Sequence, residues 1–285
     1  MPPSIDPRVR RTARGAAPVV LVVVAIVAAV ALLGSCSGER ASLGSLPPKL
    51  PASSTTTVLA STTTTAAPEP ADLKLGPEDL LGWIATPLAT PEVYAEASTG
   101  SSRIEVGAKT EAGAPTTFAV IGDASPGAEL EVPGWYRVAL RDRPNGSTGW
   151  MPASSVKITK TPFRIFVDLR ARTLRVEKDA TGVFTTEVAI GTEENPTPVN
   201  GTYVTELIAN TNPGGSYGPY AFGLAMHSDT LSEFGGGDGQ VGIHGTNRPE
   251  LIGQAVSHGC VRLTNDDVQE LVDLDLPLGV PVFIT

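Results

Sequence analysis

The chain has 285 residues, enough for two domains once a targeting segment is set aside. It carries 21 basic and 30 acidic residues, a formal charge of −9; four of the basic residues and one of the acidic ones fall in the first 36 positions, which leaves −12 on the remainder. A surface of that sign excludes nucleic acid as a partner, and with it a basic grip on anionic lipid.

Arg8, Arg10, Arg11 and Arg14 stand against a single acid, Asp6, and are followed from Ala16 to Leu33 by eighteen residues without a charge. As a helix this run would span about 27 Å, close to a hydrocarbon core of about 30 Å. A basic flank before an apolar run marks an export signal or a single anchor, and the arginines mark the cytoplasmic side. The rest of the chain is therefore expected on the extracytoplasmic face of the membrane. Leu33-Gly34-Ser35-Cys36 resembles a lipobox, at which a cysteine is lipid-modified and becomes the new N-terminus. Residues 1–36 are read as a signal or anchor segment, held either by Cys36 lipidation or by an uncleaved transmembrane helix. With Cys36 lipidated, Cys260 is the only thiol left, which excludes an intrachain disulfide in a compartment that permits them.

Ser, Thr, Pro and Ala then dominate, with Ser53-Ser54-Thr55-Thr56-Thr57 and Ser61-Thr62-Thr63-Thr64-Thr65 as near-homopolymer runs. Such a segment has too little apolar surface to offset the entropy of ordering it, so residues 37–82 are expected to be a disordered linker. About forty flexible residues have an rms span near 35 Å.

Residues 83–160 read as a small β domain. Val93-Tyr94-Ala95, Thr117 to Ile121, Trp135 to Leu140 and Thr148 to Met151 are short β-type runs between Gly-, Pro- and Asn-rich turns such as Pro144-Asn145-Gly146. The tract GWYRVALRDRPNGSTGWMPASSV, Gly134 to Val156, resembles the end of a bacterial SH3-like domain. Trp135, Tyr136 and Trp150 are candidates either for its core, the commoner fate of aromatics in so small a domain, or for a glycan- or peptide-binding surface.

Residues 161–285 read as the second unit. Phe163 to Leu169, Leu174 to Glu177 and Phe184 to Ile190 form a predicted meander, and Asn195 to Gly201 a rigid turn into Thr202-Tyr203-Val204-Thr205. Gly-rich stretches, Asn212 to Gly218 and Gly235 to Gly239, bracket His227 and are expected to border a cleft that admits an extended peptide. One helix starts at Thr264, where Thr264-x-x-Asp267 is a capping box and Val268, Leu271 and Val272 share an apolar face. The whole is expected to be mainly β: a small SH3-like unit, then a β-sandwich with one or two short helices.

Chemistry concentrates in Ile243 to Arg262, IHGTNRPELIGQAVSHGCVR, which holds two of the three histidines and one of the two cysteines. A thiol becomes a nucleophile when its proton is removed, and an imidazole nearby can take it. Either His244 or His258 fits that role: alternation in an extended segment places His258 beside Cys260, while His244 can approach the sulfur from a neighbouring strand. Gly259 permits a tight turn, so that the N–H groups of His258, Gly259 and Cys260 can converge on a developing oxyanion. Two other readings stand beside this one. Cys260 can be an inert core residue, or His227, His244, His258 and Cys260 a zinc set, although no HExxH or CxxC accompanies them.

His244-Gly245-Thr246 followed by Ser257-His258-Gly259-Cys260-Val261-Arg262 resembles the signature of the L,D-transpeptidase family, whose catalytic domain is of the YkuD type. The resemblance implies Cys260 as nucleophile, His244 as base, Gly245 as the residue whose carbonyl orients that base, and His258, Gly259 and Cys260 as oxyanion donors. Arg262 is the implied holder of a substrate carboxylate, with Ser257 and His227 completing the substrate-binding set. It further implies a peptidoglycan enzyme of the cell envelope that joins a donor tetrapeptide to an acceptor stem by a 3→3 cross-link, with no metal and no organic cofactor. An L,D-carboxypeptidase of the same fold and a non-catalytic wall-binding protein are the alternatives.

Overall fold

Strand follows strand from Trp83 onward in the computed structural model, which describes residues 73–285. The predicted anchor, Cys36 and most of the predicted linker lie outside the described residues. Among those described, no helix is long and apolar enough to cross a membrane.

The first seven strands are β1 (Trp83–Pro87), β2 (Val93–Tyr94), β3 (Arg103–Ile104), β4 (Phe118–Ala119), β5 (Trp135–Ala139), β6 (Thr148–Pro152) and β7 (Val156–Lys160). They make two small sheets, ordered β4-β1-β7 and β3-β2-β6-β5. Alternation along β6 sends Met151 inward and Trp150 outward, and the core between the sheets is Trp83, Val93, Phe118, Val120, Val138 and Met151. Trp135, Tyr136 and Trp150 are only half-buried at its margin, Trp135 lying edge-on to Tyr94 at 5.6 Å between centroids. Of the two fates open to these three, a fully buried core position is not the one taken: Trp83, Phe118 and aliphatic residues fill the core, with Tyr136 packed against it.

The next ten strands are β8 (Phe163–Asp168), β9 (Thr173–Lys178), β10 (Thr181–Glu187), β11 (Ile190–Gly191), β12 (Gly201–Ala209), β13 (Tyr220–His227), β14 (Gln240–His244), β15 (Ala255–Ser257), β16 (Val261–Arg262) and β17 (Pro281–Ile284). Eight of them form one mixed sheet, ordered β10-β9-β8-β17-β12-β13-β14-β16, while β11 pairs with β15. The pairs β14–β16 and β17–β8 are parallel. Ile165, Val167, Leu174, Val176, Leu224, Ile243 and Val261 supply its apolar face. The single α-helix among the described residues, α1 (Asn265–Asp273), packs Val268 and Leu271 against that face. Its start is the one expected: Thr264 Oγ1 accepts the Asp267 N–H at 3.1 Å and donates to Asp267 Oδ2 at 2.6 Å.

Residues 73–82, assigned from composition to the linker, are packed. Leu75 and Leu80 are buried in a cluster with Ala119, Ala139, Tyr203, Ala225 and Phe283, drawn from both groups of strands. Gly201 N–H donates to Leu75 O at 2.8 Å, and Asn200 Oδ1 accepts the Leu75 N–H at 2.7 Å. The strap passes so close that a Cβ on Gly201 would stand 2.3 Å from Leu75 O. Composition reports Pro77 and its polar neighbours but not two leucines that find a groove.

Candidate active site

Register places the thiol. In the parallel pair of β14 and β16, Ile243 stands opposite Val261 and His244 opposite Arg262, so Cys260, one residue before β16, is level with Gly242. Ile243 and Val261 are buried in the sheet core; by alternation, Gly242, His244, Cys260 and Arg262 share the other face. Two strands thus bring a base, a thiol and a guanidinium together without any of them entering the core.

His244 is buried, and its Nδ1–H donates to Gly245 O at 2.6 Å, which leaves Nε2 with the lone pair. Burial outweighs that bond, and with the positive charge of Arg262 it lowers the imidazole from its ordinary 6.5 to about 4. His244 is therefore a neutral acceptor at physiological pH. Its acceptor carbonyl is fixed by crowding: a Cβ on Gly245 would lie 2.4 Å from Asn265 Oδ1, which itself accepts the Thr246 N–H at 2.9 Å.

Cys260 is free and, as a residue, only half-buried, but its sulfur lies deep. Burial raises the thiol pKa, while the Gly242 N–H and the charge of Arg262 oppose that rise. The resting pair is a neutral thiol and a neutral imidazole. Arg262 joins the two, since its charge disfavours a protonated His244 and favours a thiolate at Cys260. Its Nε is buried with no partner among the described residues, a donor left over for an anionic ligand.

The turn before Cys260 departs from the expected alternation. Gly259 has φ +117°, which breaks the extended path, and His258 points away from the thiol to stack on Phe234 at 4.8 Å between centroids. His258 is thus not placed as the base. Ser257, expected to touch substrate, is buried and spends its hydroxyl inside the turn, donating to Cys260 O at 2.6 Å and accepting the Gly259 N–H at 3.1 Å. Gly259 is therefore no free oxyanion donor. The N–H groups of His258 and Cys260 donate to no acceptor among the described residues and remain for that role.

His227 is not in the site. It ends β13, whose Ala221 is the residue paired with His244, and it faces Gln240, four residues from His244 along β14, so about 13 Å of strand separates the two histidines. There its Nε2 meets Asp238 Oδ2 at 2.8 Å, close to Glu206 and Arg141. The four donors of a zinc set are consequently scattered, and among the described residues no three His, Cys, Asp or Glu side chains are grouped to hold a metal.

Two aromatic residues that sequence reasoning passed over stand on the two histidines of this stretch. Tyr217 lies over the His244 ring at 4.6 Å, and Phe234 covers His258; both are 41% exposed. Burial raises the Tyr217 phenol, Cys260 adds to the rise and Arg262 opposes it, which places all three groups together. Each aromatic sits in one of the Gly-rich loops expected to border the cleft; the glycines were the signal, and the aromatic beside them was the functional content.

A thiol, a neutral oriented imidazole and an unpaired guanidinium on one sheet face can take up an acyl group and hold an anionic substrate. Residues 162–284 match the family model of the YkuD L,D-transpeptidase catalytic domain. Two provisionally named L,D-transpeptidases YkuD are similar over the same segment: that of Bacillus licheniformis is 40% identical over 124 residues, 44% of this chain, and that of Bacillus subtilis 35% identical over 123 residues, 43% of this chain. In each the match spans 66% of the relative, just under two thirds of its length. Among solved structures, the catalytic domain of the E. faecium L,D-transpeptidase is 23% identical, covering 43% of this chain and 95% of that one, with a TM-score of 0.31. The family model and the curated relatives support a YkuD-type L,D-transpeptidase catalytic domain over residues 162–284.

Proposed function

We propose that the protein is a peptidoglycan L,D-transpeptidase that works through a Cys260 thioester. The observation that carries this reading is the neutral His244, turned by the Gly245 carbonyl and sharing one sheet face with Cys260 and Arg262. His244 Nε2 takes the thiol proton as the sulfur attacks the carbonyl of the third stem residue, a diaminopimelate. The same proton passes to the departing amine of the terminal D-Ala, leaving a thioester. The side-chain amine of a second stem then attacks, His244 accepts its proton, and the thiolate leaves and is reprotonated. The product is a 3→3 cross-link, and no cofactor enters either step. The N–H groups of His258 and Cys260 receive the oxyanion, and Arg262 holds a carboxylate of the stem.

Residues 83–160 we read as the SH3-like unit and residues 161–285 as the catalytic domain. The chain is assigned to the cell envelope, on the extracytoplasmic face of the membrane, held by Cys36 lipidation or by an N-terminal helix. The test is to incubate the protein with a disaccharide-tetrapeptide and resolve the products by mass. A cross-linked dimer with release of D-Ala supports the proposal. Tripeptide alone makes the enzyme an L,D-carboxypeptidase, and unchanged substrate leaves a wall-binding protein.

A further inference from the structure

The turn between β5 and β6 reaches across to the loop that joins β13 to β14. Asn145 pairs with the His227 backbone as a strand would, its Nδ2 donating to His227 O at 2.8 Å while its Oδ1 accepts the His227 N–H at 2.8 Å. Nδ2 also donates to Asp229 Oδ1 at 2.9 Å. Arg143 grips both limbs of the loop: Nη1 donates to Ser228 O at 2.7 Å, and Nη2 to Leu231 O at 2.8 Å and to Asp238 O at 3.1 Å. Where the limbs close, Gly239 has φ +79°, and a Cβ there would meet Leu231 O at 2.4 Å.

The far end of this loop is Phe234-Gly235-Gly236-Gly237, where Phe234 and Gly237 exchange N–H to O bonds of 3.0 Å and a Cβ on Gly235 would stand 3.7 Å from the Tyr217 hydroxyl. Phe234 is 41% exposed, so burial does not set its place. Its ring stacks on His258, two residues from the thiol. A glycine run has no side chains to fix it, so the position of Phe234 follows from how the base of the loop is held. Within its own unit that base is closed by the Ser228 N–H donating to Gly239 O at 2.9 Å and by Thr230 Oγ1 donating to Asn195 Oδ1 at 3.0 Å; Arg143 and Asn145 add the hold from the other group of strands.

We propose that Arg143 and Asn145 are positioning residues for the thiol site: the turn of the first β unit clamps the 228–239 loop and thereby sets Phe234 against His258, two residues from Cys260. The first unit then does more than space or anchor the enzyme, because it shapes the edge along which an extended peptide lies. The geometric claim stands on the contacts alone, while its catalytic consequence rests on the proposed function above.

The test uses the full chain and a double-mutant cycle of Arg143→Ala with Phe234→Ala. Two rates are read: alkylation of Cys260 by a bulky maleimide, located by peptide mass, and kcat and KM for the tetrapeptide. Arg143→Ala is expected to change the alkylation rate about tenfold and to lower kcat/KM by about as much, a misplacement effect. In the Phe234→Ala background the same substitution should change neither rate further. Amide exchange should quicken across 229–238 and not in β8 or β9, and Arg143→Lys should fall between, since an ammonium lacks the fork that spans two limbs. Unaltered alkylation in Arg143→Ala, or additive effects in the double variant, overturns the proposal. If Arg143→Ala unfolds the protein, Asn145→Asp, which loses both Nδ2 bonds, replaces it in the cycle. A clamp effect on alkylation in a protein that never cross-links would sink the transpeptidase reading and leave the positioning intact.

Discussion

The site's working state is set by three side chains. His244 has a folded pKa of about 4 against 6.5 unfolded, so it is the unfolded chain that binds the extra proton between those values. Stability is unaffected above pH 6.5, falls as pH drops from 6.5 toward 4, and levels off below, a loss of roughly 3 kcal/mol at 1.36 kcal/mol per unit. A thermal-unfolding series across that window should show the slope, and His244→Gln should flatten it. For the same reason the acid limb of kcat/KM is expected near pH 4 and not near 6.5. Arg262→Gln removes a charge that lowers both groups, so the acid limb should move up a little, burial remaining the larger cause, while alkylation of Cys260 at pH 8 slows. Gly245→Ala brings a Cβ against Asn265 Oδ1 and displaces the carbonyl that turns the imidazole. It should cost far more in kcat than in melting temperature, and the opposite ratio would deny Gly245 that orienting role.

At the scale of elements, α1 begins where Thr264 caps it, and Thr264→Ala should cost about 1 kcal/mol in denaturant unfolding. This was legible because a capping box is a local pattern with a local cause. The core strands were legible for the same reason, period-two alternation in stretches such as Phe163 to Asp168. Local reasoning failed where geometry comes from several elements at once. Alternation put His258 beside Cys260, but Gly259 turns the chain and Ser257 locks the turn from within. His227 looked like a site residue because glycines bracket it, yet the length of β13 carries it to the other end of the strand. Tyr217 and Phe234 carried no periodic or motif signal, since what matters is which ring they reach from an irregular loop.

At the scale of the molecule, the strap of residues 73–75 and the Tyr203 hydroxyl tie the first strands to the second group. Tyr203 is buried and donates to Ala139 O at 3.2 Å, and Leu75 lies over Gly201. Tyr203→Phe should destabilise the protein by about 1 kcal/mol. Gly201→Ala should cost more, about 1–3 kcal/mol, because backbone must move to admit the methyl. Both are read by denaturant unfolding, and a loss in activity without a loss in stability would mean that the junction acts on the site by another route. The central claim, that Cys260 becomes acylated, is tested most directly by intact-mass spectrometry of the protein incubated with a disaccharide-tetrapeptide and, separately, with a carbapenem. The account predicts a mass increase with each compound that disappears in Cys260→Ala; folded protein that gains no mass from either, or gains it equally in Cys260→Ala, would contradict it.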